Sequence, residues 1–148
     1  MSYQEKRSIV NIISTLLITG GYSAYALPQY PQAEAYSETI FHFWGSFFFI
    51  LIGVSIVASI IITILFSILN TVTNGEGEPS LTDERDHVIS LRAARNSSYV
   101  FILGVLLAMG SLVISQPPTV MFIILILSGV ASSLISDMSA FFFYRRGY

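Results

Sequence analysis

The 148-residue chain has no cysteine, and only 11% of its residues are charged. The first absence excludes disulfides, thiolate chemistry and iron–sulfur or cysteine–zinc sites. The second lies far below the roughly 25% of a soluble globular domain. Seven Lys and Arg stand against nine Asp and Glu, so the basic excess of a nucleic-acid-binding domain is also lacking. Missing too are a glycine-rich phosphate loop, a His-Glu-x-x-His pair, a cluster of ligating side chains and a serine with a recognisable base. The sequence therefore reads as a non-enzyme with no cofactor, no metal and no catalytic residue.

What is present is hydrocarbon. Hydrophobic residues make up 53% of the chain and the mean hydropathy is +0.70. Four apolar runs, about 8–27, 40–72, 97–115 and 119–143, each reach the length needed to cross a bilayer core of about 30 Å as a helix. The expected fold is all-α: one domain, a polytopic membrane protein with four transmembrane helices. The run at 40–72 exceeds a bilayer thickness, so its helix must tilt or protrude. His42 and Trp44 at its start suit an interfacial anchor. The first run, with Lys6 and Arg7 before it and Ala24-Tyr25-Ala26 after it, also has the outline of a signal peptide. Leu27-Pro28 is a poor cleavage context, and the run is expected to be retained as a span.

The connections set the topology. Residues 28–38 carry two prolines, two tyrosines and no basic residue, as an outer loop should. At 115–119, "SQPPT" predicts a tight hairpin, with Pro117 ending one helix and Pro118 opening the next. Lys6, Arg7, Arg85, Arg92, Arg95, Arg145 and Arg146 all fall on one side of a four-span arrangement. The positive-inside rule then places both termini and the 74–96 segment in the cytoplasm, and the protein in the inner (plasma) membrane.

Charge is concentrated in "TDERDHVISLRAARNSS", residues 82–98. Thr82 suits a helix N-cap, and Asp83, Glu84 and Asp86 suit the positive end of a helix dipole. No breaker follows, so the segment should run into the third span as one rod that projects from the membrane or bends along it near Asn96 to Ser98. Arg92 and Arg95 would then lie at the level of lipid phosphates. Asp83 and His87, four apart, have a spacing that also occurs at metal sites, but the ligand set is too short. The helix Asp83, Glu84, Arg85, Asp86, His87 and Arg92 is the expected interaction element for a partner.

Asp137 is an acid inside an apolar run, and such a group is by default functional. Counting back through the hairpin sets it level with residues 95–97, which makes Arg95 its expected partner and Asn96 the alternative. On the same helix, Ser128, Ser132, Ser136 and Ala140 repeat every four residues beside Gly129, Ser133 and Asp137. Small faces let membrane helices approach closely. One should meet Gly104 and Ala108 of the third span, leaving the other for a second subunit in a homodimer.

The Asp-Glu-Arg run at 83–85, leading into a basic and apolar helix, resembles a family of small prokaryotic four-span membrane proteins that carry such a box between spans two and three. The resemblance implies topology and brings no activity. Small multidrug transporters also have four spans, but their glutamate in the first span has no counterpart here. The functional expectation is an accessory or regulatory subunit, partnered by the bilayer and by a membrane protein or a second copy. The alternative is a small homo-oligomeric transporter or channel using Asp137.

Overall fold

A computed structural model describes residues 3–74 and 84–146. It consists of four long helices: α1 (Tyr3–Ala26, extended by a 3₁₀ turn over Leu27–Gln29), α2 (Glu38–Asn74), α3 (Glu84–Val113) and α4 (Pro118–Arg146). All four are long and apolar enough to cross a membrane. Gly75, Gly77, Pro79, Thr82 and Asp83 lie outside the described residues.

α4 is the hub of the bundle. It packs along α3 and against α1, α1 packs on α2, and α2 touches α4 only sparsely. Among the described residues α2 and α3 make no close backbone approach, so the bundle is open on that side.

The α3–α4 hairpin closes as its residues dictate. Ser115 takes a left-handed backbone, φ 61°. The Gln116 N–H then bonds back to the Ser111 carbonyl and the Ser115 N–H to that of Leu112, both at 3.0 Å. This pair of bonds is the Schellman arrangement, with serine where glycine is usual. Pro118 opens α4 at the first helical position, as its missing N–H allows.

The two helices then lie side by side over their 30 and 29 residues. Ala93, Gly104, Ala108 and Ser111 are buried along the seam. Gly104 is indispensable there, because a β-carbon at that position would overlap the Ser128 side chain. With no hydrophobic drive between helices in lipid, this close approach and the hydrogen bonds across it hold the pair. The Ser132 hydroxyl donates to the Ser97 carbonyl at 3.0 Å, and the Asn96 amide to the Ser139 hydroxyl at 3.2 Å.

α2 is held near its two ends. At one end Trp44, Phe47, Ile40 and Leu51 form a buried cluster with Tyr22, Phe43 and Phe122 packed against it. Trp44 stacks on Phe122 of α4, ring centroids 5.7 Å apart and planes 11° apart. Trp44 is thus 1% exposed, a core residue and not the expected interfacial anchor, because α4 supplies a ring face at its level. His42, two residues earlier, is exposed. Near the other end, Tyr3 of α1 packs on Phe66 at 5.3 Å.

Candidate functional site

Between these two attachments α2 stands away from α4 and leaves a cleft that α1 floors. Its mid-bundle chamber, about 400 Å³, is mostly apolar, lined by Phe48, Leu51, Ile52, Phe101, Leu125 and Ile126. A second chamber of about 250 Å³ is polar and ends on Asp137. Thr15, Ser59 and Ser133 line both, so the two adjoin.

Polar stripes on three helices build this gradient. Asn11, Thr15 and Thr19 on α1, Ser55, Ser59 and Thr63 on α2, and Gly129, Ser133 and Asp137 on α4 each repeat at intervals of four, which keeps them on one helical face. Paired in antiparallel register they form three layers. Asn11, Thr63 and Asp137 line the polar chamber, Thr15, Ser59 and Ser133 the junction, and Thr19, Ser55 and Gly129 the apolar chamber. Next to the stripes, Ser14 and Ser136 complete the polar wall. Gly129 makes the apolar chamber roomier, since a β-carbon there would meet nothing within 4 Å.

Asp137 sits on a different face from the one expected. The Asn11 amide donates to its carboxyl at 3.3 Å, and the guanidinium of Arg7 acts on it electrostatically. The counting argument placed Asp137 at the right height along the bundle but on the wrong side of α4. Ser132 and Ser139, five residues before and two after Asp137, take the α3 face, and Asp137 is rotated from it toward α1. Arg95 instead lines a separate hollow with Arg92, Phe142, Phe143 and Arg146, and Asn96 is spent on Ser139.

The same rotation settles the two small-residue faces. Ser128 and Ser132 meet α3, with Gly104 and Ala108 buried opposite. Gly129, Ser133 and Ser136 border the cleft formed with α1 and α2. The face reserved in the sequence for a second subunit is therefore turned to the chain's own helices, and the packing role expected of Gly129 does not arise.

The charged segment neither breaks nor bends away at Asn96. Helix α3 is continuous through it, and Ile89 and Ala93 are each 2% exposed because the end of α4 runs alongside. The Tyr144 side chain hydrogen-bonds Asp86 across that pair. Glu84, Arg85, His87 and Arg92 are on the exposed side. Among the described residues no group of three or more His, Asp or Glu is arranged to hold a metal ion.

Asn11, Thr15, Ser59 and Thr63 were not singled out by sequence reading. Their signal was present as polar residues at intervals of four within apolar spans, but serine and threonine on membrane helices more often satisfy their own backbone. Ser14 and Thr71 do so, donating to the carbonyls of Val10 and Ser67. Comparison with models of protein families, with curated proteins and with solved structures gave no match to this chain.

Proposed function

We propose that this is a small multi-pass protein of the plasma (inner) membrane, with both chain ends cytoplasmic, that binds and moves an amphiphilic solute or a proton through the cleft between α1, α2 and α4. The supporting observation is that an apolar chamber at mid-bundle adjoins a polar one that ends on Asp137 and Asn11. A purely structural acid would be enclosed by partners. Asp137 instead borders a space of about 250 Å³, and the combined chambers are within the roughly 300–1,000 Å³ of small-molecule sites. In this reading Asp137 takes the cation or proton, Asn11 orients the carboxyl, and the apolar chamber takes the hydrocarbon part of the solute. An acid at membrane depth costs stability, about 2.5–3.5 kcal/mol at a helix centre on insertion scales, and a transport role accounts for that cost.

The test is reconstitution of the full chain in liposomes, with uptake of a lipophilic quaternary amine and proton flux followed by a trapped dye. Asp137→Asn should abolish flux, and Gly129→Leu, whose side chain would enter the apolar chamber, should block amine uptake with the helices intact. Undiminished flux in Asp137→Asn would refute the proposal.

A second reading, an accessory subunit that docks a membrane protein, draws on the exposed apolar residues Val88 and Leu91 on the charged extension, 45% and 57% accessible. They are flanked by exposed Glu84, Arg85 and His87. Co-purification of a stoichiometric second polypeptide, lost in Glu84→Lys with Leu91→Asp, supports it; an unchanged set of co-purifying proteins removes it.

A further inference from the structure

Arg92 and Arg95 of α3 and Arg146 of α4 converge on one hollow of about 650 Å³ whose remaining walls are Phe142 and Phe143. Among the described residues no acid lines it. A single anion placed in the hollow is attracted by more than one guanidinium group at once. Guanidinium is also the side chain best shaped to grip phosphate, with two parallel N–H donors per group.

The position of the hollow narrows the ligand. Arg95 is adjacent to Asn96, whose bond to Ser139 lies about one turn from Arg92 along the same helix. Arg92 and Arg95 lie on the charged N-terminal part of α3 and Arg146 ends α4, so in the membrane arrangement proposed above they stand where the apolar runs give way to the headgroup region. Phe142, 51% exposed, faces outward at that border and offers an apolar wall beside the cations. A soluble phosphate has no use for such a wall, whereas a lipid presents phosphate and hydrocarbon together in this order.

We infer that Arg92, Arg95 and Arg146 form a stoichiometric site for the phosphate headgroup of one anionic membrane lipid, with Phe142 and Phe143 against its glycerol and upper acyl chain. The site bridges α3 and α4 and is separate from the cleft, so it stands whatever the cleft carries. Diffuse attraction of basic residues to an anionic leaflet is graded; this site saturates at one lipid.

The experiment is native mass spectrometry of the detergent-solubilised full chain, titrated with phosphatidylglycerol or with phosphatidylcholine of the same acyl chains. Wild type should bind one phosphatidylglycerol at least about tenfold more tightly than phosphatidylcholine, as one to two basic contacts of roughly 1 kcal/mol each require. Arg95→Gln with Arg146→Gln should erase the preference, Arg95→Lys with Arg146→Lys should keep part of it, and Lys6→Gln should leave it whole. Equal affinity of wild type for the two lipids, or a preference untouched in the double glutamine variant, overturns the assignment. Displacement of the lipid by inorganic phosphate at matching affinity would assign the site to soluble phosphate and overturn it as well. The wild-type comparison requires no variant to fold.

Discussion

At the scale of single residues, two glycines of similar sequence context behave in opposite ways. Gly104 and Gly129 both lie in apolar helices, yet a methyl group on the first would collide with Ser128 while one on the second would enter open space. Gly104→Ala should therefore destabilise the bundle by about 1–3 kcal/mol, the usual cost of overpacking. Ser128→Gly removes the atoms it would strike and should recover most of that loss in the double variant. Thermal unfolding in detergent across the four proteins of this cycle gives the coupling; additive effects would show that the two residues do not meet. Gly129→Ala should by contrast be neutral or stabilising by up to about 1 kcal/mol, because alanine is the better helix former. Sequence spacing marked both glycines as packing residues and had no means to tell them apart, since the difference is rotational position on the helix.

At the scale of elements, the α3–α4 hairpin was the most legible feature and its charged extension the least. Pro117, Pro118 and the antiparallel count defined the turn and the height of every residue along the pair. They did not define which face of α4 meets α3. A helix turns 100° per residue, so Asp137 and Ser139 are close in height but point to different neighbours, α1 and α3. The extension was read as projecting from the membrane or bending along it, because the unbroken rod is longer than a bilayer core. Ile89 and Ala93 form the apolar edge that the end of α4 covers, and the bond between Tyr144 and Asp86 fastens the two helices at this end. Tyr144→Phe and Asp86→Ala should each loosen this end by about 1.5–3 kcal/mol, as expected for a hydrogen bond to a charged group. The double variant should be little worse than either single one. Hydrogen exchange at residues 86–93 is the direct readout: protection equal to wild type in both variants would mean that helix packing alone holds the extension.

At the scale of the whole molecule, charge asymmetry and helix packing reinforce each other. The four spans and the lack of any soluble-domain composition were readable from hydropathy alone, because length and apolarity are properties of the chain one residue after another. The cleft was not, because it depends on α2 being fastened by the Trp44–Phe122 stack and the Tyr3–Phe66 contact while standing off between them. These contacts bring together residues 78 and 63 positions apart, separations over which periodicity carries no information. Arg7, Arg85, Arg92, Arg95, Arg145 and Arg146 gather at the end of the bundle where Tyr144 meets Asp86. The opposite end carries Tyr30, whose hydroxyl is 2.8 Å from that of Thr119, and has no basic residue in 28–38. Basic residues resist translocation, so the arginine end should stay in the cytoplasm, which also turns the polar chamber and the arginine hollow toward the inner leaflet. Since the chain has no cysteine, single-cysteine variants report this without background. Ala33→Cys, in the exposed 30–37 connection, should react with a membrane-impermeant maleimide in intact cells, and Ser90→Cys, exposed on α3, only after permeabilisation. The reverse pattern would invert the molecule and place Asp137 at the outer leaflet; equal labelling of both sites in intact cells would mean dual insertion, with the basic residues too few to choose an orientation.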